Sequence, residues 1–251
     1  MHEFTVLTQS YHQKELVEIL IKSFERYKPD NFLVKYVIVE GSDDVSYKEN
    51  IKSITDRVAW FNNSSADLKD PISGASTANG LNIEFGKQHA NTGWVFVCHN
   101  DVAVVSSKFY HMFEQYSKTH DVFSMCRDNS RINACHISGL FVKSEILKQV
   151  DCMPALPDLD VGDRLTSFCR NNEISYTSLP NTHNTPEIWN RLSGKWHAIG
   201  KDAGVDRCVY DNEVIFVHLG RGTPKFLNAY NKSGKVTYLD WKFLHKEYLD
   251  E

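Results

Sequence analysis

The pattern that most limits how this chain can fold lies near its N-terminus. An apolar run from Phe4 to Leu7 is followed by Leu16, Ile19, Leu20, Phe24 and Tyr27 at helical spacing, then by a second apolar run from Phe32 to Val39. The helical segment stops at Pro29, which has no amide hydrogen to continue the ladder. Strand, helix, strand in that order is a βαβ unit. Only Lys35 interrupts the second run, as expected of a strand covered on both faces of a mostly parallel sheet. The alternation then repeats: a strand from Val58 to Phe61, an amphipathic stretch through Ala78, Leu81 and Phe85, and a strand from Trp94 to Cys98. This predicts an α/β chain with a Rossmann-like central sheet flanked by helices, in a single domain.

Downstream, Phe109, Met112, Phe113 and Tyr116 predict a further helix, and the segments from Val122 to Met125 and from Ile137 to Val142 predict strands. The remainder is less regular. The stretches from Ser144 to Val150 and from Leu165 to Cys169 read as helical, and those from Ile174 to Leu179 and from Val214 to Val217 as strands. Between those last two strands lies a polar segment from Pro180 to Asn212, too long for an ordinary connection and therefore expected to be an active-site flap.

Composition narrows the partners. With 41% hydrophobic and 24% charged residues among 251, the chain can bury a sizeable core. Its 28 basic against 32 acidic residues give a formal charge of −4, which supplies no basic field for nucleic acid and points to a small or mixed-charge substrate. No apolar run approaches the roughly 20 residues of a membrane span, and the N-terminus lacks the basic and apolar regions of a secretion signal. A cytoplasmic protein with no integral membrane segment is expected. Six cysteines without CxxC spacing are expected to be reduced core residues. Cys135-His136, with Cys126 and Cys208, is therefore read as structural rather than as a zinc site or a nucleophile pair.

In open α/β sheets ligands bind beyond the carboxyl ends of the strands, so those turns carry the chemistry. They read Thr8-Gln9-Ser10-Tyr11, Glu40-Gly41-Ser42-Asp43-Asp44, Asn62-Asn63-Ser64-Ser65 and His99-Asn100-Asp101. The first has neither GxGxxG nor a P-loop, which disfavours a dinucleotide site or a Walker-type ATPase.

The order and spacing of these turns resemble the GT-A-fold nucleotide-sugar glycosyltransferases, in particular the family-2-like group. The turn after the first strand, the acidic residue before Gly41-Ser42, the segment from Gly74 through Asn79 to Gly80, and the strand leading into His99-Asn100-Asp101 carry the likeness across residues 4 to 105. In the second half it rests on Gly139-Leu140-Phe141-Val142, on Asp160-Val161-Gly162-Asp163, and on His218-Leu219-Gly220-Arg221-Gly222-Thr223. One position departs from the pattern: His99 replaces the first acid of the Asp-x-Asp motif.

The resemblance implies a donor-binding half over residues 1 to 105 and an acceptor and catalytic half over residues 106 to 251. It implies a hexosyltransferase-type activity in glycan biosynthesis, moving a sugar from a nucleoside-diphosphate sugar to a hydroxyl on a glycan, lipid-linked or protein acceptor. Thr8, Ser10, Tyr11, Glu40, Ser42, Asn79, Asn100 and Arg221 are expected to bind the donor nucleotide. Asp101, His99 and His218 are expected to hold a divalent cation, Mn²⁺ or Mg²⁺. Asp163 or Asp160 is expected to be the general base of an inverting reaction, although an acid at a helix start is also a common cap. Trp189 and Trp196, with His197, are candidates for an acceptor wall against the alternative of local packing. Two other readings stay open: a retaining transferase, and a catalytically lapsed domain that binds a nucleotide sugar or a protein.

Overall fold

The computed structural model describes residues 1–64, 74–130, 132–198, 205–219 and 246–249. The first βαβ unit is present as expected: β1 (His2–Ser10), α1 (Lys14–Tyr27) and β2 (Phe32–Glu40), with β1 and β2 parallel from His2↔Phe32 to Ser10↔Glu40. Helix α1 turns Leu16, Val17, Leu20, Ile21 and Phe24 inward, the face its sequence spacing predicts. A short helix α2 (Lys48–Ile54) leads to β3 (Val58–Asn62), and α3 (Gly74–Gly86) leads to β4 (Trp94–Cys98). After β5 (Val102–Val104) and α4 (Lys108–Tyr116) come β6 (Val122–Ser124), the two-residue strands β7 (Arg127–Asp128) and β8 (Ala134–Cys135), and β9 (Gly139–Lys143). Then follow α5 (Ser144–Gln149), α6 (Asp163–Asn171), β10 (Tyr176–Ser178), a 3-10 turn at Pro186–Arg191, α7 (Gly194–Ala198), β11 (Asp206–Tyr210) and β12 (Glu213–His218).

Among the described residues, seven strands form the central sheet in the order β10-β6-β9-β4-β1-β2-β3. Only β9 runs against the others, pairing antiparallel with both β4 and β6. Alternating side chains feed two cores. Phe4, Val6, Phe96 and Phe141 join Phe24, Phe109 and Phe216 on one face, while Leu7, Val95, Val97, Leu140 and Val142 join Ile83, Leu147 and Leu165 on the other. A sheet covered on both faces accounts for the nearly unbroken apolar runs of β2 and β4. Gly86 lets α3 lie close on the sheet, since a Cβ there would come within 2.9 Å of Val39 and closer still to Leu7.

A second sheet, β11-β12-β5, carries β12 antiparallel to both neighbours. It corrects two sequence expectations. The stretch from Pro180 to Asn212 is not a polar flap throughout, because β11 lies within it and Arg207 and Cys208 are buried. The strand expected from Val214 to Val217 extends to include His218. Alternation along β11 is short and embedded in polar sequence, so hydrophobic periodicity alone misses it.

All six cysteines are buried and unpaired, as expected. Burial pushes the thiols of Cys152 and Cys169 up to about 12, which keeps them protonated and inert. Among the described residues no helix is long and apolar enough to cross a membrane.

Candidate functional site

The parallel strands end together. Ser10, Glu40 and Asn62 are successive register partners at the carboxyl ends of β1, β2 and β3, and Cys98 at the end of β4 faces Gly139 at the start of β9. The residues after β4 and before β9 therefore emerge at one edge. The second sheet brings a third segment there: His218 pairs with Val102, and the Leu219 amide donates to the Asp101 carbonyl at 2.9 Å.

These constraints gather His99, Asp101 and His218, each with one potential ligand atom within 4.8 Å of the others. Nε2 of His218 lies 3.4 Å from Oδ1 of Asp101 and 3.3 Å from Nδ1 of His99, and His99 Nδ1 is 3.9 Å from the same Asp101 oxygen. Asp101 and His218 are buried, and His99 is half-buried. The ring of His136, just before β9, packs at 5.8 Å from His99 and 6.2 Å from His218 between centroids. Asp206 opens β11 opposite His218, with Oδ2 at 3.5 Å from His218 Nδ1.

The three imidazoles have divergent electrostatics. Burial pushes His99 down to about 4, with proximity to His218 adding to the effect against the pull of Asp101. Burial likewise pushes His136 down to about 3. Burial also opposes charge on His218, but the charge and hydrogen bonding of Asp101, then the nearby Asp206 carboxyl, outweigh it and raise this imidazole to about 9. Burial thus disfavours charge on His99 and His136, whereas the neighbouring Asp101 and Asp206 favour it on His218.

The expected donor residues occupy the neighbouring turns. Glu40 is fully buried: its carboxylate accepts from the His12 amide at 3.2 Å, from the Ser42 hydroxyl at 2.7 Å, and from the Tyr47 hydroxyl. Ser10 Oγ and Tyr47 Oη lie 2.8 Å apart, which ties the turns after β1 and β2 together. Thr8 is buried beneath this edge, and Tyr11 is exposed beyond it. Asn100 donates from Nδ2 to Gln13 Oε1 at 3.0 Å, which anchors the β4 turn to the start of α1. On α3, the Asn79 Oδ1 atom is buried without a hydrogen-bond partner among the described residues. Arg221 lies outside the described residues.

The acidic pair at α6 departs from a simple cap. Gly162 occupies the N-cap with φ of +79°, so a side chain there would be strained, and Asp163 is already the first helical residue. The buried Asp163 carboxylate turns back to accept from the Asp160 amide at 2.8 Å, whereas Asp160 is partly exposed. Gly162 also packs against Ile137, the residue after His136 in the chain. Trp189 lies over the buried Arg207, with the guanidinium 4.8 Å from the ring centre, and 5.4 Å from the His197 ring. Trp196 packs on the cluster around Leu16 and Val217 and under Lys195 Nζ at 4.9 Å. Both tryptophans thus have protein partners on at least one face.

Sequence reasoning overlooked Asp206, Gln13 and Tyr47. Gln13 and Tyr47 are polar partners reached across loops, and Asp206 gains its meaning only from the register opposite His218.

No protein-family model matches the chain, and no curated protein does. Solved structures do. The mannosyltransferase PcManGT from Pyrobaculum calidifontis, in complex with GDP-Man and Mn²⁺, superposes with a TM-score of 0.51 at 13% identity, over 70% of this chain and 54% of that one. The chain has a GT-A-like glycosyltransferase fold. S. aureus TarS 1-349 (TM-score 0.47, 13% identity, 71% of this chain and 58% of that one) and the Streptococcus pneumoniae TIGR4 glycosyltransferase GlyE (0.46, 10%, 75% and 48%) also match. The GT-A-like chain spans about half to three fifths of the length of the first structures it matches. In this fold the histidine cluster and the turns around Glu40 share the carboxyl edge of the sheet, where ligands of open α/β sheets bind.

Proposed function

We propose that the protein is a glycosyltransferase that moves a hexosyl group from a nucleoside-diphosphate sugar to a hydroxyl acceptor in glycan biosynthesis, with a divalent cation held by His99, Asp101 and His218. The observation that carries this reading is the convergence of those three side chains at the carboxyl edge of a GT-A-like sheet. The donor set fits a cation. Two imidazoles and one carboxylate suit Mn²⁺ better than Mg²⁺, which prefers oxygen. Two carboxylates packed around a buried imidazole also leave a negative surplus that a dication offsets. PcManGT was solved with GDP-Man and Mn²⁺, which adds support for the same ligand classes here.

When bound, the cation would neutralise charge on the departing diphosphate. The chain's own residues do the rest. Asp101 and the imidazoles of His99 and His218 orient toward one point at the strand edge. The strand ends and turns holding Thr8, Ser10, Tyr11, Glu40, Ser42 and Asn100, with Asn79 of α3, form the donor-side wall, and Glu40 is the buried brace of that wall. Arg221 is assigned to the diphosphate. Asp160 or Asp163 takes the proton from the acceptor hydroxyl in a single inverting displacement. The greater exposure of Asp160 favours it for meeting an acceptor, with Asp163 holding its backbone in place. Trp189 and Trp196 are assigned to the acceptor side, and the site is read as cytoplasmic.

A thermal-shift panel of nucleoside diphosphates and nucleotide sugars, each with and without Mn²⁺, tests the reading. A ligand that binds only the folded state stabilises it by mass action, by about 2.7 kcal/mol at a hundred times its Kd, and so raises Tm. A rise for at least one nucleoside diphosphate that requires Mn²⁺ is expected. Indifference to every member of the panel contradicts it.

A further inference from the structure

We propose that Asp206 is a positioning residue that fixes the tautomer and ring orientation of His218, directing its Nε2 lone pair at the point shared with His99 and Asp101. The inference rests on the cation reading above and adds to it a residue that binds no ligand itself.

The argument begins with register. Asp206 and His218 are direct partners across the antiparallel pair β11-β12, with Arg207↔Val217 and Cys208↔Phe216 following in step. The irregularity in that pairing falls between Cys208 and Val209, beyond the two residues, so the backbone holds them opposite each other. Asp206 Oδ2 is 3.5 Å from His218 Nδ1, on the side of the ring away from Asp101. That nitrogen is buried and has no hydrogen-bond partner of good geometry among the described residues.

A neutral imidazole carries one proton, and its two nitrogens face different surroundings here. With the proton on Nε2, the lone pair of Nδ1 would point at the Asp206 carboxylate in a dry environment, an unfavourable contact. With the proton on Nδ1, Asp206 accepts it after a small carboxylate rotation, and the Nε2 lone pair is left for a cation held between it, His99 and Asp101, which removes the lone pair's repulsion from the Asp101 carboxylate. A metal-binding histidine whose other ring nitrogen donates to a carboxylate is both better oriented and more basic. The other oxygen of Asp206 lies 4.0 Å from Nδ1 of the exposed His183, and the next residue along β11, Arg207, is buried under Trp189.

The test is Mn²⁺ binding to the full chain, followed by the loss of the free-ion electron spin resonance signal, with pulsed measurement of nitrogen couplings to the bound ion. Asp206→Ala is expected to raise the Mn²⁺ Kd by about 10- to 100-fold and to weaken one of two nitrogen couplings. In a His218→Ala background the same substitution is expected to change Kd by less than about twofold, because the residue it orients is gone. Asp206→Asn, which keeps the side chain's shape, serves as the second variant should Asp206→Ala fold poorly, and is expected to weaken binding in the same direction. Equal Mn²⁺ affinity in the wild type and both Asp206 variants would overturn this proposal alone. Equal weakening with and without His218 would overturn it too, by marking Asp206 as generally structural. A wild-type chain that binds no Mn²⁺ would overturn the cation reading, and this inference with it.

Discussion

Nε2 of His218 lies 3.4 Å from Oδ1 of Asp101, although the two stand 117 positions apart in the chain. The contact is built by strand pairing: His218 closes β12 exactly where it meets Val102, the residue after Asp101.

Replacing Asp101 by Asn should therefore remove activity far more than stability. Losing the carboxylate that would hold the cation removes the positive charge placed against the departing diphosphate, and losing one such electrostatic group costs about 10²- to 10³-fold in turnover. His218 loses the larger of the two carboxyl neighbours that raise its pKa, so its pKa should fall, and the fold should tolerate the change. Steady-state donor turnover and the denaturation midpoint, measured on the same preparation, check both halves. Turnover within threefold of wild type would remove Asp101 from the site.

Gly139 controls the same site from behind. A Cβ there would come within 2.9 Å of both Met125 and Phe216, and Phe216 lies two residues before His218 on β12. Gly139→Ala should overpack this core by about 1 to 3 kcal/mol and shift β12 enough to weaken Mn²⁺ binding. Chemical denaturation and a Mn²⁺ titration would show both effects. A variant of unchanged stability would mean that Phe216 moves aside freely.

The brace around Glu40 makes a different prediction. Tyr47 donates to a fully buried carboxylate, and Tyr47→Phe removes one of its three donors without changing the volume much. Leaving a buried charge short of a donor costs about 1 to 3 kcal/mol. Urea denaturation should show a loss in that range with an unchanged m-value. A neutral effect would indicate that water replaces the hydroxyl.

At the other end of the sheet, Asp121 pairs with Lys143 at 2.6 Å and accepts from Ser175, joining β6, β9 and the start of β10. The Lys143 ammonium first, and then Ser175, hold its carboxyl below the usual range. Its unfolded-state value is about 3.9, so its stabilisation is complete above that pH and is lost as pH falls through the lower folded value. With the pair partly solvent-exposed, Asp121→Asn should cost only about 1 kcal/mol at pH 7. The gap between wild type and variant should narrow below about pH 4. A difference that persists unchanged at pH 3 would contradict the assignment.

Much of the architecture was legible because strands buried on both faces leave unbroken apolar runs, and α1 carries a clear helical stripe. The segments Trp94–Cys98 and Phe32–Glu40 needed little beyond that. The second sheet was harder to read. β5 has three residues, and β11 mixes Asp206, Arg207 and Cys208, whose burial depends on partners far away in the chain. The same limit applies to the site. His99, Asp101 and His218 could be singled out from turns at strand ends, whereas Asp206, Gln13 and Tyr47 acquire roles only through cross-strand register and loop contacts. Asp163 shows the limit in reverse: its place at a helix start suggests a cap or a base, and only the backbone reveals that it reaches back to Asp160.

The most direct test of the account is release of nucleoside diphosphate from nucleotide sugars, GDP-mannose first, by the full chain in Mn²⁺. The account predicts release from at least one donor that stops on chelation and falls by about 10²-fold or more in Asp101→Asn. Release from no donor above the Asp101→Asn background would contradict it.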